Sequence, residues 1–236
     1  MTTSSDVSLR LNSIWALKNL LYQADSATKD LVMTTLTYDR LRKYVLFFLF
    51  HYFFFFASLC LTPLLHLSFL SDPDNGIQEQ ALTMLRNLAC CKENEAVRDI
   101  ENIFHGVGEE LIPLLESKLE GQPRDTVQQA IYLLVNLATG DEGHKLQLMQ
   151  SDTLLGKILA FMDHPDSSLR VVATWFVINL VWTDESGNQG GGRVRRLREA
   201  GFEEKLRAMQ NDPELDVRDR VKTALESFDR ERKMEF

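Results

Sequence analysis

Ser168-Leu-Arg-Val-Val-Ala-Thr-Trp-Phe-Val-Ile-Asn-Leu-Val-Trp182 follows the turn His164-Pro-Asp166, and its reading decides the fold. Leu169, Val172, Ala173, Phe176, Val177 and Leu180 recur at helical spacing, while Asn179 interrupts an otherwise apolar second half. The design returns elsewhere. Met84-Leu-Arg-Asn87-Leu, Leu133-Leu-Val-Asn136-Leu and Ala16-Leu-Lys-Asn19-Leu all align with Phe176-Val-Ile-Asn179-Leu. A small residue precedes each Asn by six positions, at Ser13, Ala81, Ala130 and Ala173, and Pro73, Pro123 and Pro165 mark the turns before three of the helices. A helix that recurs together with its turn identifies a repeat protein, whose units bury their faces only against neighbours.

Composition permits this and narrows function. The 236 residues are 44% apolar and 25% charged, ordinary for a globular chain. A net charge of −8 argues against a general binder of nucleic-acid backbones. Three cysteines, two of them adjacent at Cys90-Cys91, make no disulfide framework and read as buried thiols in a reducing compartment. Met1-Thr-Thr-Ser-Ser-Asp6 has neither the basic start nor the apolar run of a signal peptide.

The spacing of the asparagines exposes one anomaly. Asn136 to Asn179 is 43 residues and Asn87 to Asn136 is 49, close to the roughly 40–47 of paired- or triple-helix repeats. Asn19 to Asn87 is 68 residues, about 25 too many on that scale. The excess coincides with residues 43–68, an apolar run unlike the rest of the chain, long enough by hydropathy to span a bilayer. Translation of a retained intron accounts for it. Lys43-Tyr-Val can contain a GTATGT donor, Leu61-Thr62 a CTAAC branch point, and His66-Leu-Ser68 the terminal AG. Excision removes about 75 nucleotides in frame and returns the interval to about 43 residues. A transmembrane helix is the alternative.

The remaining chain divides accordingly. Residues 1–42 hold the end of one repeat and the start of the next. Residues 69–182 are repeats, 183–192 a flexible Gly-rich loop and 193–236 a capping repeat, in which Ser227 stands where an Asn would fall. A stack that opens in mid-unit has an uncovered face, so the chain is expected to be the C-terminal piece of a longer array.

The pattern Ala-x-x-x-Leu-x-Asn-Leu-Ala from Ala81 to Ala89, after a Pro-Asp turn, resembles the third helix of an armadillo repeat. Leu11-Asn-Ser-Ile-Trp-Ala-Leu-Lys-Asn-Leu20, Leu70-Ser-Asp-Pro-Asp74, Leu85-Arg-Asn-Leu88, Thr174 to Trp182 and Ala224-Leu225 are similar to the C-terminal part of the armadillo-repeat subunit family of CTLH/GID ubiquitin ligases. The resemblance covers nearly the whole chain outside residues 43–68. It implies an all-α armadillo/HEAT-type right-handed α-solenoid and a non-enzymatic scaffold in the cytoplasm and nucleus. Its partners would be ligase core subunits and a substrate receptor whose chain end lies along the groove, serving ubiquitin-dependent proteasomal degradation. A nuclear-transport type of peptide adaptor and a membrane-anchored armadillo protein are the alternatives.

Third helices line the concave groove of such arrays. An Asn amide offers donor and acceptor together and so can hold an extended peptide backbone. Four residues earlier, on the same helix face, stand Trp15, Thr83, Tyr132 and Trp175. The candidate partner-binding residues are therefore Trp15, Asn19, Asn87, Tyr132, Asn136, Trp175 and Asn179. The competing reading makes each Asn a bond to a neighbouring helix and each Trp packing. Arg193, Arg195, Arg196 and Arg198 read as a solvated basic face. Asp72, Asp74, Asp163 and Asp166 read as helix caps. His105, His144 and His164 lack metal-ligand spacing, and Gly190-Gly-Gly192 lacks the strand and Lys of a phosphate loop. No nucleophile, base and orienting group are spaced as a set, and neither cofactor nor metal is expected.

The intron reading predicts that transcripts sequenced across codons 38 to 75 lack the stretch from Lys43 to Ser68. A message that always retains it contradicts the reading.

Overall fold

In a computed structural model, residues 5–38, 69–90, 96–183 and 190–234 are described. The apolar insert at 43–68, the intron junction and most of the Gly-rich loop lie outside them. Among the described residues there is no strand, and no helix is long and apolar enough to cross a membrane. The all-α expectation holds.

The chain forms two compact units, Met1–Leu111 and Ile112–Phe236. In the first, α1 (Val7–Leu21) packs on α3 (Asn75–Ala89), with α2 (Ser26–Leu36) against α1 and α4 (Ala96–Val107) against α3. Gly106 on α4 is required by close approach: a Cβ there would lie 2.2 Å from the Tyr38 ring. The second unit takes in α5 (Leu111–Lys118) from its second residue onward, α6 (Arg124–Leu137), α7 (Glu142–Gln150) and α8 (Asp152–Phe161), then α9 (Ser167–Val181), α10 (Gly190–Glu199), α11 (Phe202–Ala208) and α12 (Leu215–Met234). The helix α10 begins at Gly190, inside the stretch read as loop.

The quoted stretch is α9, and its environment explains its composition. It lies between α6 and α12. A helix covered on two sides must be apolar over most of its circumference rather than along one stripe. Leu169, Val172, Ala173, Phe176, Val177 and Leu180 are all at most 2% exposed. Burial of each larger member contributes roughly 1.5–3 kcal/mol. The small residue six before the Asn is fully buried in α3, α6 and α9, at Ala81, Ala130 and Ala173, and a larger side chain there would overpack a full interface.

Acidic residues and prolines start the helices, but not all as expected. Asp74 caps α3 through Ile77 N, and Asp166 caps α9 through Ser168 N. Asp6, Asp25 and Asp141 cap α1, α2 and α7 in the same way. Asp72 does not cap a helix. It is fully buried and accepts Arg10 Nε at 2.8 Å and Nη2 at 3.1 Å. Asp163 instead pairs with Lys205. Arg170 clasps Asp212 in the same bidentate manner, both bonds 2.8 Å. Arg10 and Arg170 each stand nine residues before their own Asn, while Asp72 and Asp212 each precede a turn proline. The pairs therefore fasten the start of one third helix to the turn before the next. Truncating a buried partner such as Asp72 would take the carboxylate away from a buried guanidinium, a loss of roughly 3–5 kcal/mol.

Between α6 and α9 the equivalent position is Val127, and the fastening passes to Arg124, whose Nε meets Asp166 Oδ2 at 2.5 Å. That bond, with those from Ser168 N and Oγ, holds the Asp166 carboxyl at about 2, below the ordinary carboxylate range. A carboxylate depressed on folding stabilises above its unfolded pKa of about 3.9 and ceases to do so as pH falls through the folded value. Asp166→Asn keeps the cap and removes the charge. Its stability deficit against wild type should be full above about pH 5 and narrow markedly by about pH 3 in urea titrations; a deficit independent of pH contradicts the pairing.

Candidate functional site

The four repeat asparagines sit in the last turns of α1, α3, α6 and α9, where helix carbonyls run out of intrahelical donors. In α6, Ala138 N, Thr139 N and Gly140 N reach the carbonyls of Leu134, Asn136 and Leu137. Val135 O is left between them, and Asn179 Nδ2 donates to it at 2.9 Å. In α1, Tyr22 N and Ala24 N reach Asn19 O and Leu21 O. Asn87 Nδ2 serves Lys18 O at 3.0 Å. In both units an Asn thus bonds the carbonyl one residue before the preceding Asn, as the packing alternative expected.

Basic side chains complete these helix ends. Lys29 Nζ donates to Leu88 O at 3.2 Å in the last turn of α3 and to Cys90 O at 2.9 Å just beyond it, and also pairs with Asp99 at 3.0 Å. Lys145 Nζ reaches Trp182 O at 3.0 Å after α9, where Arg193 also donates to Leu180 O. Cations are favoured at the negative end of a helix dipole. Arg193 is 3% exposed and pairs with Glu142, Arg196 pairs with Asp152, and Arg198 with Glu203. Three of the four are therefore consumed internally, contrary to the solvated-face expectation; Arg195 alone of the four is exposed. Sequence reading missed it because partners on α7, α8 and α11 carry no local signal.

One amide bond does not exhaust an asparagine, which has two N–H donors and a carbonyl acceptor. The Oδ1 atoms of Asn87 and Asn179 meet no donor among the described residues. Asn87 is buried, Asn136 and Asn179 half-buried, and Asn19 exposed. Trp15 is 54% exposed and Trp175 42%, Tyr132 is half-buried, and Thr83 is buried. On α1 the surface thus offers Trp15 beside Asn19. In the second unit it offers Tyr132 with Asn136 on α6 and Trp175 with Asn179 on α9.

The histidines have other employment. His144 is buried and accepts Asp141 N at 3.2 Å in the capping box of α7; His164 accepts Asp166 N at 3.0 Å. Cys90 is free and exposed, at the end of α3 rather than inside it, so the buried-thiol expectation fails there; Cys60 and Cys91 lie outside the described residues.

Third helices packed together within each unit, with Asn87 closing α1 and Asn179 closing α6, define an armadillo-repeat protein of the all-α solenoid class. Its homologues make the assignment narrower. Armadillo repeat-containing protein 8 of Danio rerio is 30% identical over 229 residues, which cover 97% of this chain and 29% of that protein. GID complex subunit 5 of Schizosaccharomyces pombe is 24% identical, covering 94% of this chain and 31% of that one. The chain thus spans less than a third of the length of these curated relatives. No protein-family profile matches. Among solved structures, a designed armadillo repeat protein in complex with peptide (KR)4 superposes with TM-score 0.71 at 15% identity, over 95% of this chain and 77% of that one. A computationally designed armadillo repeat protein for modular peptide recognition gives 0.69 at 13% identity, over 94% and 76%.

Asn87→Ala should cost on the order of 1–3 kcal/mol in chemical denaturation by leaving Lys18 O unserved, whereas Asn19→Ala should stay within about 0.5 kcal/mol. Equal losses contradict the helix-closing role.

Proposed function

We propose that the chain is a non-catalytic armadillo scaffold of a GID/CTLH-type ubiquitin ligase, joining ligase core subunits to a substrate receptor for proteasomal degradation. The homologues' names support the complex. The exposure of Trp15 and Trp175, each four residues from an Asn, supports the binding of a partner segment. Large aromatic rings left in water on a helix face beside unfilled amide acceptors suit an extended peptide, whose backbone N–H groups the Asn carbonyls accept and whose side chains lie between the rings. In this reading Trp15, Asn19, Asn87, Tyr132, Asn136, Trp175 and Asn179 hold the partner, with Asn87 and Asn179 also closing the preceding helix. The protein works in the cytoplasm and nucleus, needs no cofactor and binds no nucleic acid. Residues 43–68 are a translated intron within the second repeat, 183–192 a linking loop, and 193–236 the capping repeat.

Affinity capture of the tagged chain from its own cells tests this. Ligase core subunits and a receptor should co-purify, and Tyr132→Ala with Trp175→Ala should release the receptor while retaining the core and the melting temperature. Recovery without any ligase subunit contradicts the proposal.

A further inference from the structure

All three tryptophans of the chain carry one of the protein's own cations. Lys18 Nζ lies 5.7 Å from the Trp15 ring centroid, Lys145 Nζ 5.3 Å from that of Trp182, and Arg220 Cζ 4.7 Å from that of Trp175. Two of these rings are the exposed aromatics that stand four residues before an Asn. They acquire their cations by different routes. Lys18 is three residues along the same helix as Trp15 and is held by Gln80 Oε1 at 2.7 Å. Ile178 occupies the matching place after Trp175, and the cation comes instead from Arg220 on α12. Gln80 and Arg220 occupy the same repeat position, seven residues before Asn87 and before Ser227. Different residues in the two units therefore produce the same arrangement.

The consequence is electrostatic. An indole face attracts a cation through its quadrupole. Here that attraction is already satisfied from within, so a lysine or arginine of an incoming peptide meets a positive charge rather than a bare ring. Arg220 is itself unspent. Its Nε meets no acceptor, and no carboxylate pairs with it among the described residues, although Asp216 and Asp219 share its helix. Arg10, Arg124, Arg170 and Arg207 by contrast all hold carboxylates. A guanidinium stacked on an aromatic face is oriented without being neutralised, and its planar fork suits a carboxylate.

Resting on the peptide-groove reading above, we propose that the face formed by Trp175, Asn179 and Arg220 takes an extended peptide presenting a carboxylate to Arg220, with Lys18 beside Trp15 favouring the same chemistry in the first unit. The carboxylate comes from an acidic side chain of that peptide. The choice runs against bulk charge, since the chain's net charge of −8 by itself favours a basic peptide.

Fluorescence anisotropy with the full chain tests it, using four labelled decapeptides. Three are amidated, alternating Ala with Glu, Gln or Lys; the fourth is the Gln peptide with a free C-terminal carboxylate. The Glu peptide should bind at least about tenfold tighter than the amidated Gln peptide, and the Lys peptide weakest. Arg220→Gln should abolish that preference without lowering the melting temperature, and Tyr132→Ala should weaken Glu and Gln peptides alike. If the free-carboxylate Gln peptide matches the Glu peptide, the ligand is a chain terminus rather than an acidic side chain, and the proposal falls. If Glu, Gln and Lys peptides bind equally while Tyr132→Ala weakens all three, the groove stands and the carboxylate proposal falls. If no peptide binds, both fall.

Discussion

Everything in this array depends on closing the C-terminal ends of the third helices. An α-helix leaves its last four carbonyls without intrahelical donors, and a buried carbonyl left so costs on the order of a kilocalorie or more. A free-standing helix presents these groups to water, but a third helix in a stack has neighbours over its end. The chain meets the constraint with donors from outside the helix: the amide of the following Asn, and lysine or arginine heads such as Lys29, Lys145 and Arg193. Since the Asn and its target belong to successive third helices, one bond both satisfies a polar group and fixes how far one repeat is displaced along the next.

The opposite ends of the same helices are held by charge. Arg10 with Asp72 and Arg170 with Asp212 fasten a third helix to the turn that starts its successor. Apolar burial between helices is strong but permits sliding, because any apolar side chain fits roughly against another. Bidentate pairs at one end and single amide bonds at the other remove that freedom. Where Val127 breaks the arginine pattern, Arg124 finds Asp166 from a neighbouring turn, so the fastening survives a change of residue.

Much of this was legible in the chain. The helical class, the repeat, the position of each Asn helix and the small residue at Ala81, Ala130 and Ala173 all follow from periodicity, because burial imposes its period directly on residue type. The Asp-Pro turns announced helix starts, but Asp72 and Asp163 were misread as caps. A cap and a salt-bridge acceptor are the same residue type, and only the distant partner tells them apart. The basic run at Arg193 to Arg198 failed for the same reason: exposure cannot be read from charge when the counter-ions lie on other helices. The asparagines carried two meanings at once. Their spacing marked them, yet whether an amide faces a peptide or a neighbouring carbonyl depends on a displacement between helices that no local pattern encodes.

The double use of one amide is the central claim: an Asn whose N–H is spent on the stack and whose carbonyl remains for a partner. Solvent exchange of the side-chain amide protons of 15N-labelled protein tests it most directly. The account predicts that Asn87 and Asn179 each have one Nδ2 proton protected from exchange while Asn19 exchanges at the rate of a free amide. Fast, uniform exchange at all three would mean that the helix ends are closed by something else.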